Sequence, residues 1–163
     1  FALRVAFGPG LHIMLVASYS AQISALQTMK TKHELELSDV KKIAAAAEAE
    51  ALKNKWAVTI SIVDDGGHLL WLQRMDGAAP ISSHISPAKA RTAAVGRKDT
   101  KAFEDMINNG RTAFLSAPFV DGLLEGGVAI VKDGQVLGAV GVSGVKASED
   151  AQVASAGIAA LGL

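Results

Sequence analysis

Two Asp-Gly turns constrain this chain more than any other feature. In Val63-Asp64-Asp65-Gly66-Gly67-His68-Leu69-Leu70, a β-type run enters a turn rich in Asp and Gly, and a second apolar run leaves it. Val131-Lys132-Asp133-Gly134-Gln135-Val136 repeats that pattern inside the stretch Val128 to Val142. Tight hairpin turns need residues that tolerate positive φ, and Gly and Asp do so. Each segment therefore predicts two adjacent antiparallel strands.

The first hairpin continues outward in both directions. Trp56, Val58, Ile60 and Ile62 alternate with Ala57, Thr59, Ser61 and Val63, the period of a strand covered on at least one face. His68 to Gln73 is its partner, and Met75 to Ile85 reads as a loop. In the second hairpin Gly138, Gly141 and Gly144 interrupt the later strand, which implies close backbone approach or a bulge.

Helical patterns fill the rest. Ser38 reads as an N-cap with Asp39 in the first turn, followed by Val40, Ile43, Ala44, Ala47 and Ala51 at helical spacing. An amphipathic helix with an Ala-lined face is expected over 39–54. Ser86-Pro87 reads as an N-cap followed by Pro at the first helical position, opening a helix from Ala88 to Val95 that breaks or bends near Gly96. A second piece spans Thr100 to Ile107 and is stopped by Asn108-Asn109-Gly110. Residues 111–126 read as irregular, and Ser148-Glu149-Asp150 opens a last helix ending near Leu161. This order is α+β, a mostly antiparallel sheet covered by helices. A strand at His33 to Leu37 would make a fifth.

The 163 residues suit one domain with a sizeable core. Residues 29–163 read as that domain, with 1–28 as an extension outside it. Met29-Lys30-Thr31-Lys32 resembles an ordinary polar N-terminus and implies a cytoplasmic protein. The alternative is a signal peptide around Leu11-His12-Ile13-Met14-Leu15-Val16-Ala17, which would imply a periplasmic or secreted one. No apolar run approaches the roughly 20 residues of a membrane span. With 16 basic and 16 acidic residues, no electrostatic argument favours nucleic acid as a partner. Near-zero net charge gives little colloidal protection and is compatible with self-association. There are no cysteines, which excludes disulfides, thiolate metal sites and covalent c-type haem attachment.

Candidate chemistry is sparse. Gly138-x-x-Gly141-x-x-Gly144 has the wrong spacing for a dinucleotide loop and no βαβ context. Ser143 lies in Gly-Val-Ser-Gly, one residue short of a nucleophile elbow. His68 and His84 are weak metal candidates, because neither has a second ligand at metal-binding spacing. Lys89, Arg91 and Thr92 fall in the first turns of the expected Pro87 helix, where free amides and adjacent cations would cradle a carboxylate or phosphate. A cation in a first turn opposes the helix dipole, and that conflict marks Lys89.

These pieces together resemble the GlcG/HbpS-like family, which also includes the C-terminal domain of PduO-type corrinoid adenosyltransferases. The residues that carry the resemblance are Val63-Asp64-Asp65-Gly66-Gly67-His68, Arg74-Met75-Asp76-Gly77-Ala78, Ser86-Pro87-Ala88-Lys89-Ala90-Arg91-Thr92-Ala93, Gly126-Gly127-Val128 and the run Asp133 to Gly144, with Glu149-Asp150 at the last helix. The resemblance spans about residues 35–162. It implies a profilin-like three-layer α/β/α sandwich around a five-stranded antiparallel sheet. It implies a homo-oligomer, from dimer to octamer, that takes a small ligand, with haem binding described for some members.

For non-covalent haem, the axial candidates are His84, His68, Met75 and Thr92, with Lys89 and Arg91 able to pair with propionates. The candidate ligand-binding set is Lys89, Thr92, Arg91, His84, Arg74 and Asp76, of which Lys89 and Thr92 are favoured as pocket residues because they fall inside the family-like helix-start motif. Three functional readings follow. A haem or tetrapyrrole binder requires an apolar, ring-sized site beside the Pro87 helix. A protein acting on a small hydroxy or oxo acid requires a smaller, polar pocket. A ligand-free assembly module requires no convergent polar cluster.

Overall fold

The computed structural model describes residues 31–163, and His33–Leu163 form one compact unit. The expectations for residues 1–28 and for a start at Met29 lie outside the described residues. The element order is α1 (Leu37–Asn54), β1 (Thr59–Asp64), β2 (Leu69–Arg74), α2 (Ser82–Gly96), α3 (Thr100–Asn108), a 3-10 turn (Thr112–Ser116), β3 (Gly127–Lys132), β4 (Gln135–Ser143) and α4 (Ala147–Ala159). The four strands form one antiparallel sheet in the order β2-β1-β4-β3.

The alternation read along β1 sorts the sheet into two faces. Ile60 and Ile62, with Val140 and Val142 of β4, pack under α1 and α4, against Ile43, Ala44, Ala47, Val153 and Ala154. Full burial of an Ile or Val side chain stabilises by about 1.5–3 kcal/mol, so this layer holds much of the fold. On the opposite face Val63 and Ala139 meet Ala90, Ala93 and Ala94 of α2. Helices thus cover both faces of the sheet.

Expectations for two stretches of the chain need correction. The segment at His33 to Leu37 forms no strand, and the sheet has four strands among the described residues. Leu35 packs on the core as the chain leads into α1, while the His33 backbone hydrogen-bonds the Gln135 side chain. The helix begins at Leu37 with Glu36 as N-cap, two residues before Ser38, and the Asp39 carboxylate accepts from the Glu36 amide at 3.2 Å.

The second correction concerns α2. It starts at Ser82, so Ser86 is no cap and Pro87 lies inside the helix. A Pro at an interior position forfeits one backbone hydrogen bond. The first turn of α2 is anchored from both sides. The Ser82 hydroxyl donates to the Ala79 carbonyl at 2.6 Å and lies 2.6 Å from the Thr59 hydroxyl. At its other end α2 stops at Gly96, with Arg97 in the left-handed region.

Both hairpins carry an irregularity. Ile62 pairs with Trp71 and Val63 with Leu69, which leaves Leu70 as an extra residue on β2. Gly138 pairs with Ile130 and Val136 with Val131, which leaves Leu137 as the extra residue on β4. An extra residue bends and twists its strand.

Candidate functional site

The helix α2 positions most of the residues singled out in the sequence, but on different sides. Its sheet-facing side is a row of hydroxyls. Ser86 donates to the Gly141 carbonyl at 2.9 Å and sits 2.7 Å from the Ser61 hydroxyl. Close approach makes this possible. A Cβ at Gly141 would lie 2.2 Å from the Ser86 carbonyl oxygen.

Lys89 points toward α4. Its ammonium donates to the Asp150 carboxylate at 2.8 Å and to the Val142 carbonyl at 3.0 Å, and both side chains of the ion pair are almost fully buried. The other Asp150 oxygen accepts from the Val145 amide at 3.2 Å. Burial pushes the Asp150 carboxyl up from its ordinary value, and the Lys89 ammonium pulls it back only in part. Gly126 closes over the pair, since a Cβ there would lie 2.7 Å from the Lys89 Nζ. Lys89 therefore does not occupy a first turn but sits well inside the helix.

Thr92 faces the segment that returns from α3. Its hydroxyl is buried and accepts from the Gly122 amide at 3.2 Å. Lys89 and Thr92 thus have internal partners in the protomer.

The remaining candidates are exposed. Arg91 lies on the outer side of α2, 3.9 Å from Asp121, and His84 is seven residues earlier on the same helical face. His68 caps the β1–β2 turn, with its Nδ1 3.0 Å from the Asp64 carboxylate. That turn packs on Arg91 and Val95, so His68 lies beyond Arg91 on a stretch of α2 remote from His84. Among the described residues no group of three or more His, Cys, Asp or Glu side chains could hold a metal ion. Arg74 ends β2 and Asp76 follows it, and both are exposed. With Glu48, Leu52, Gln73 and Met75 they line an open cavity of about 330 Å³.

A feature that sequence reasoning missed joins several of these residues. Leu69, Leu72 and Arg74 pair with Val63, Ser61 and Thr59, the residues of β1 that face α2. Directly paired residues share a sheet face. These three therefore project on the α2 side of the edge strand. The N-terminal end of α2 lies near Arg74, through the Thr59–Ser82 contact, and Arg91 and Val95 lie near Gly67 at the other end. Helix and edge strand thus run side by side and form a ledge. Leu69 is 54%, Leu72 42%, Ile81 63% and Val95 42% exposed along it, with Arg74 and Arg91 at its two ends. The signal in the sequence was Leu69-Leu70-Trp71-Leu72, an apolar run with no polar alternation although it forms an edge.

Comparison with known proteins adds the lineage. The family model described as haem degrading protein HbpS-like matches residues 35–159. Protein GlcG of Escherichia coli is 58% identical over 115 residues, covering 71% of this chain and 85% of GlcG. The solved structure of Klebsiella pneumoniae protein ORFY superposes with a TM-score of 0.77 at 29% identity, covering 83% of this chain and 96% of that one. A chain solved as a PduOC:Heme complex superposes with a TM-score of 0.72 at 30% identity, covering 78% of this chain and 95% of that one. No helix among the described residues is long and apolar enough to cross a membrane.

Proposed function

The chain belongs to the HbpS-like family, and we propose that it binds haem or a related tetrapyrrole non-covalently, as a homo-oligomer. The observation that carries this reading is the match, at 30% identity over nearly the whole of that chain, to a relative solved with haem. The proposed site is the ledge between β2 and α2. Leu69, Leu72 and Ile81 offer an apolar seat, and their exposure leaves a face that a flat apolar ring would cover.

The donor set suits the group. At either end of the ledge one arginine, Arg74 or Arg91, presents a planar fork matched to carboxylates such as the propionates on one edge of the ring. His84, exposed on the outer face of α2, would offer its imidazole to the iron. Lys89 and Thr92 support the site from beneath, by fixing α2 to β4, α4 and the returning segment. Bound haem would supply iron redox chemistry there.

Haemin titrations of the parent, His84→Ala and the double variant Arg74→Ala/Arg91→Ala test the assignment. A shifted Soret band in His84→Ala and at least tenfold weaker binding in the double variant are expected. Parent-like spectra and affinities in both would remove the ledge as the site.

A second reading has its own observation. The open cavity beside Arg74 and Asp76 is smaller and more polar, and suits a small hydroxy or oxo acid held by Arg74. Glycolate or lactate protecting the parent against thermal unfolding, but not Arg74→Ala, would favour it.

A further inference from the structure

The open cavity of about 330 Å³ beside Glu48 and Leu52 lies on the face of the sheet opposite the ledge. Gln73 and Trp71 pair with Ile60 and Ile62, which pack under α1, so both turn toward that helix. Met75 packs on the same core cluster. Leu52 and Met75 give the cavity apolar walls, and Glu48, Gln73, Arg74 and Asp76 give it polar ones.

These four polar side chains have no partner in the protein. Among the described residues none of them makes a hydrogen bond or an ion pair. Half-buried acids elsewhere are satisfied, since Glu50, Asp64, Glu104 and Glu149 each accept at least one hydrogen bond. Glu48 is half-buried too and accepts none. A further group is left over nearby. The Trp71 indole N–H is buried and finds no acceptor among the described residues. Gln73 is the next residue on the same face of β2, about 7 Å along the strand, and its unengaged side chain can turn aside. A buried polar group without a partner calls for one.

We propose that the ligand of this cavity is a polyhydroxy acid, a short carboxylic acid with hydroxyls on adjacent carbons; this rests on the small-acid reading above, which assigns the carboxylate to Arg74. The walls decide between hydroxyl and oxo groups. Carboxylates accept hydrogen bonds and donate none, and an oxo oxygen is also an acceptor only. An oxo acid would therefore set lone pairs against Glu48 and Asp76. A hydroxyl donates to a carboxylate and still offers lone pairs to the indole N–H or the Gln73 amide. Each hydroxyl has one proton to give, so two carboxylates call for adjacent hydroxyls. Charge orients the ligand. Its carboxylate is repelled by Glu48 and Asp76 and drawn to Arg74, which ends β2. The carbon chain then lies on Leu52 and Met75. Size agrees, because the cavity is at the low end of the roughly 300–1,000 Å³ usual for ligand sites.

The test is calorimetric titration of the full chain with glycerate, lactate and pyruvate, which share one carbon chain and carry two hydroxyls, one hydroxyl and an oxo group. Glycerate is expected to bind at least tenfold more tightly than lactate or pyruvate. Glu48→Ala, a substitution that a helix accepts, should remove that preference, with circular dichroism as the check on folding. In a Trp56→Phe background Trp71 is the only indole, and glycerate should shift its emission. An unmoved emission would remove Trp71 from the site. Equal affinities for the three acids, lost together in Arg74→Ala, would overturn the hydroxyl assignment and leave the small-acid reading standing. A glycerate preference that survives both Glu48→Ala and Asp76→Ala would overturn this cavity as its seat. Binding of none of the three acids would overturn both readings.

Discussion

The Lys89 ammonium lies 2.8 Å from the Asp150 carboxylate, across 61 residues of sequence, with both side chains almost wholly buried. The pair ties α2, through the end of β4, to the start of α4. Removing one partner leaves an uncompensated buried charge, at a cost of about 3–5 kcal/mol. Lys89→Met should lose that order of stability in urea unfolding. The double variant Lys89→Met/Asp150→Leu should recover most of it. A single variant as stable as the parent would mean that water reaches the pair.

Gly141 allows α2 to approach β4. A Cβ there meets the Ser86 carbonyl oxygen at 2.2 Å and the Ala90 nitrogen at 2.5 Å, both backbone atoms that cannot step aside. Gly141→Ala should cost about 1–3 kcal/mol, seen as a lowered melting temperature. By contrast Gly134 has nothing within 4 Å, so Asn there meets only the strain of φ +76, at most about 1 kcal/mol for a residue that visits this region readily. Equal effects at the two positions would contradict the close packing of helix on strand.

The β1–β2 turn carries a pH dependence of definite sign. Burial tends to raise the Asp64 carboxyl, but hydrogen bonds from the His68 backbone and ring and from the Gly66 amide outweigh it, so it lies below its ordinary value of 3.8. A carboxyl held lower in the folded state contributes stability above its unfolded value. That stability is lost as pH falls from about 3.8 through the folded value. Asp64→Asn should therefore flatten the acid limb of a stability–pH curve. An acid limb of unchanged steepness would place that stability in other carboxylates.

Much of the fold was legible because its signals are local. The Asp-Gly turns named both hairpins, and the alternation along β1 named its two faces. The start of α2 was not legible. Ser86-Pro87 has the local form of a helix start, but the contact of Ser82 with Thr59, 23 residues away in sequence, places the first turn earlier. The same distance effect hid the role of Lys89, whose acceptors on Val142 and Asp150 lie more than 50 residues ahead. Arg74, Arg91 and His84 could be named from the sequence. The ledge that relates them could not, because it depends on which face of an edge strand α2 leaves uncovered.

Thr92 separates support from ligation. Its hydroxyl accepts from the buried Gly122 amide, so Thr92→Val should cost about 1–3 kcal/mol of stability through the orphaned donor. The Soret spectrum of haemin-loaded Thr92→Val should match that of the parent. A changed spectrum would make Thr92 an iron ligand and move the site beneath the returning segment.

The most direct measurement is the end-point of a haemin titration of the purified full chain, followed at the Soret band against chain concentration. A saturable shift with a sharp, stoichiometric break is expected. A rise that continues without a break, as for a ring spreading over any apolar surface, would contradict specific tetrapyrrole binding and promote the small-acid reading at Arg74.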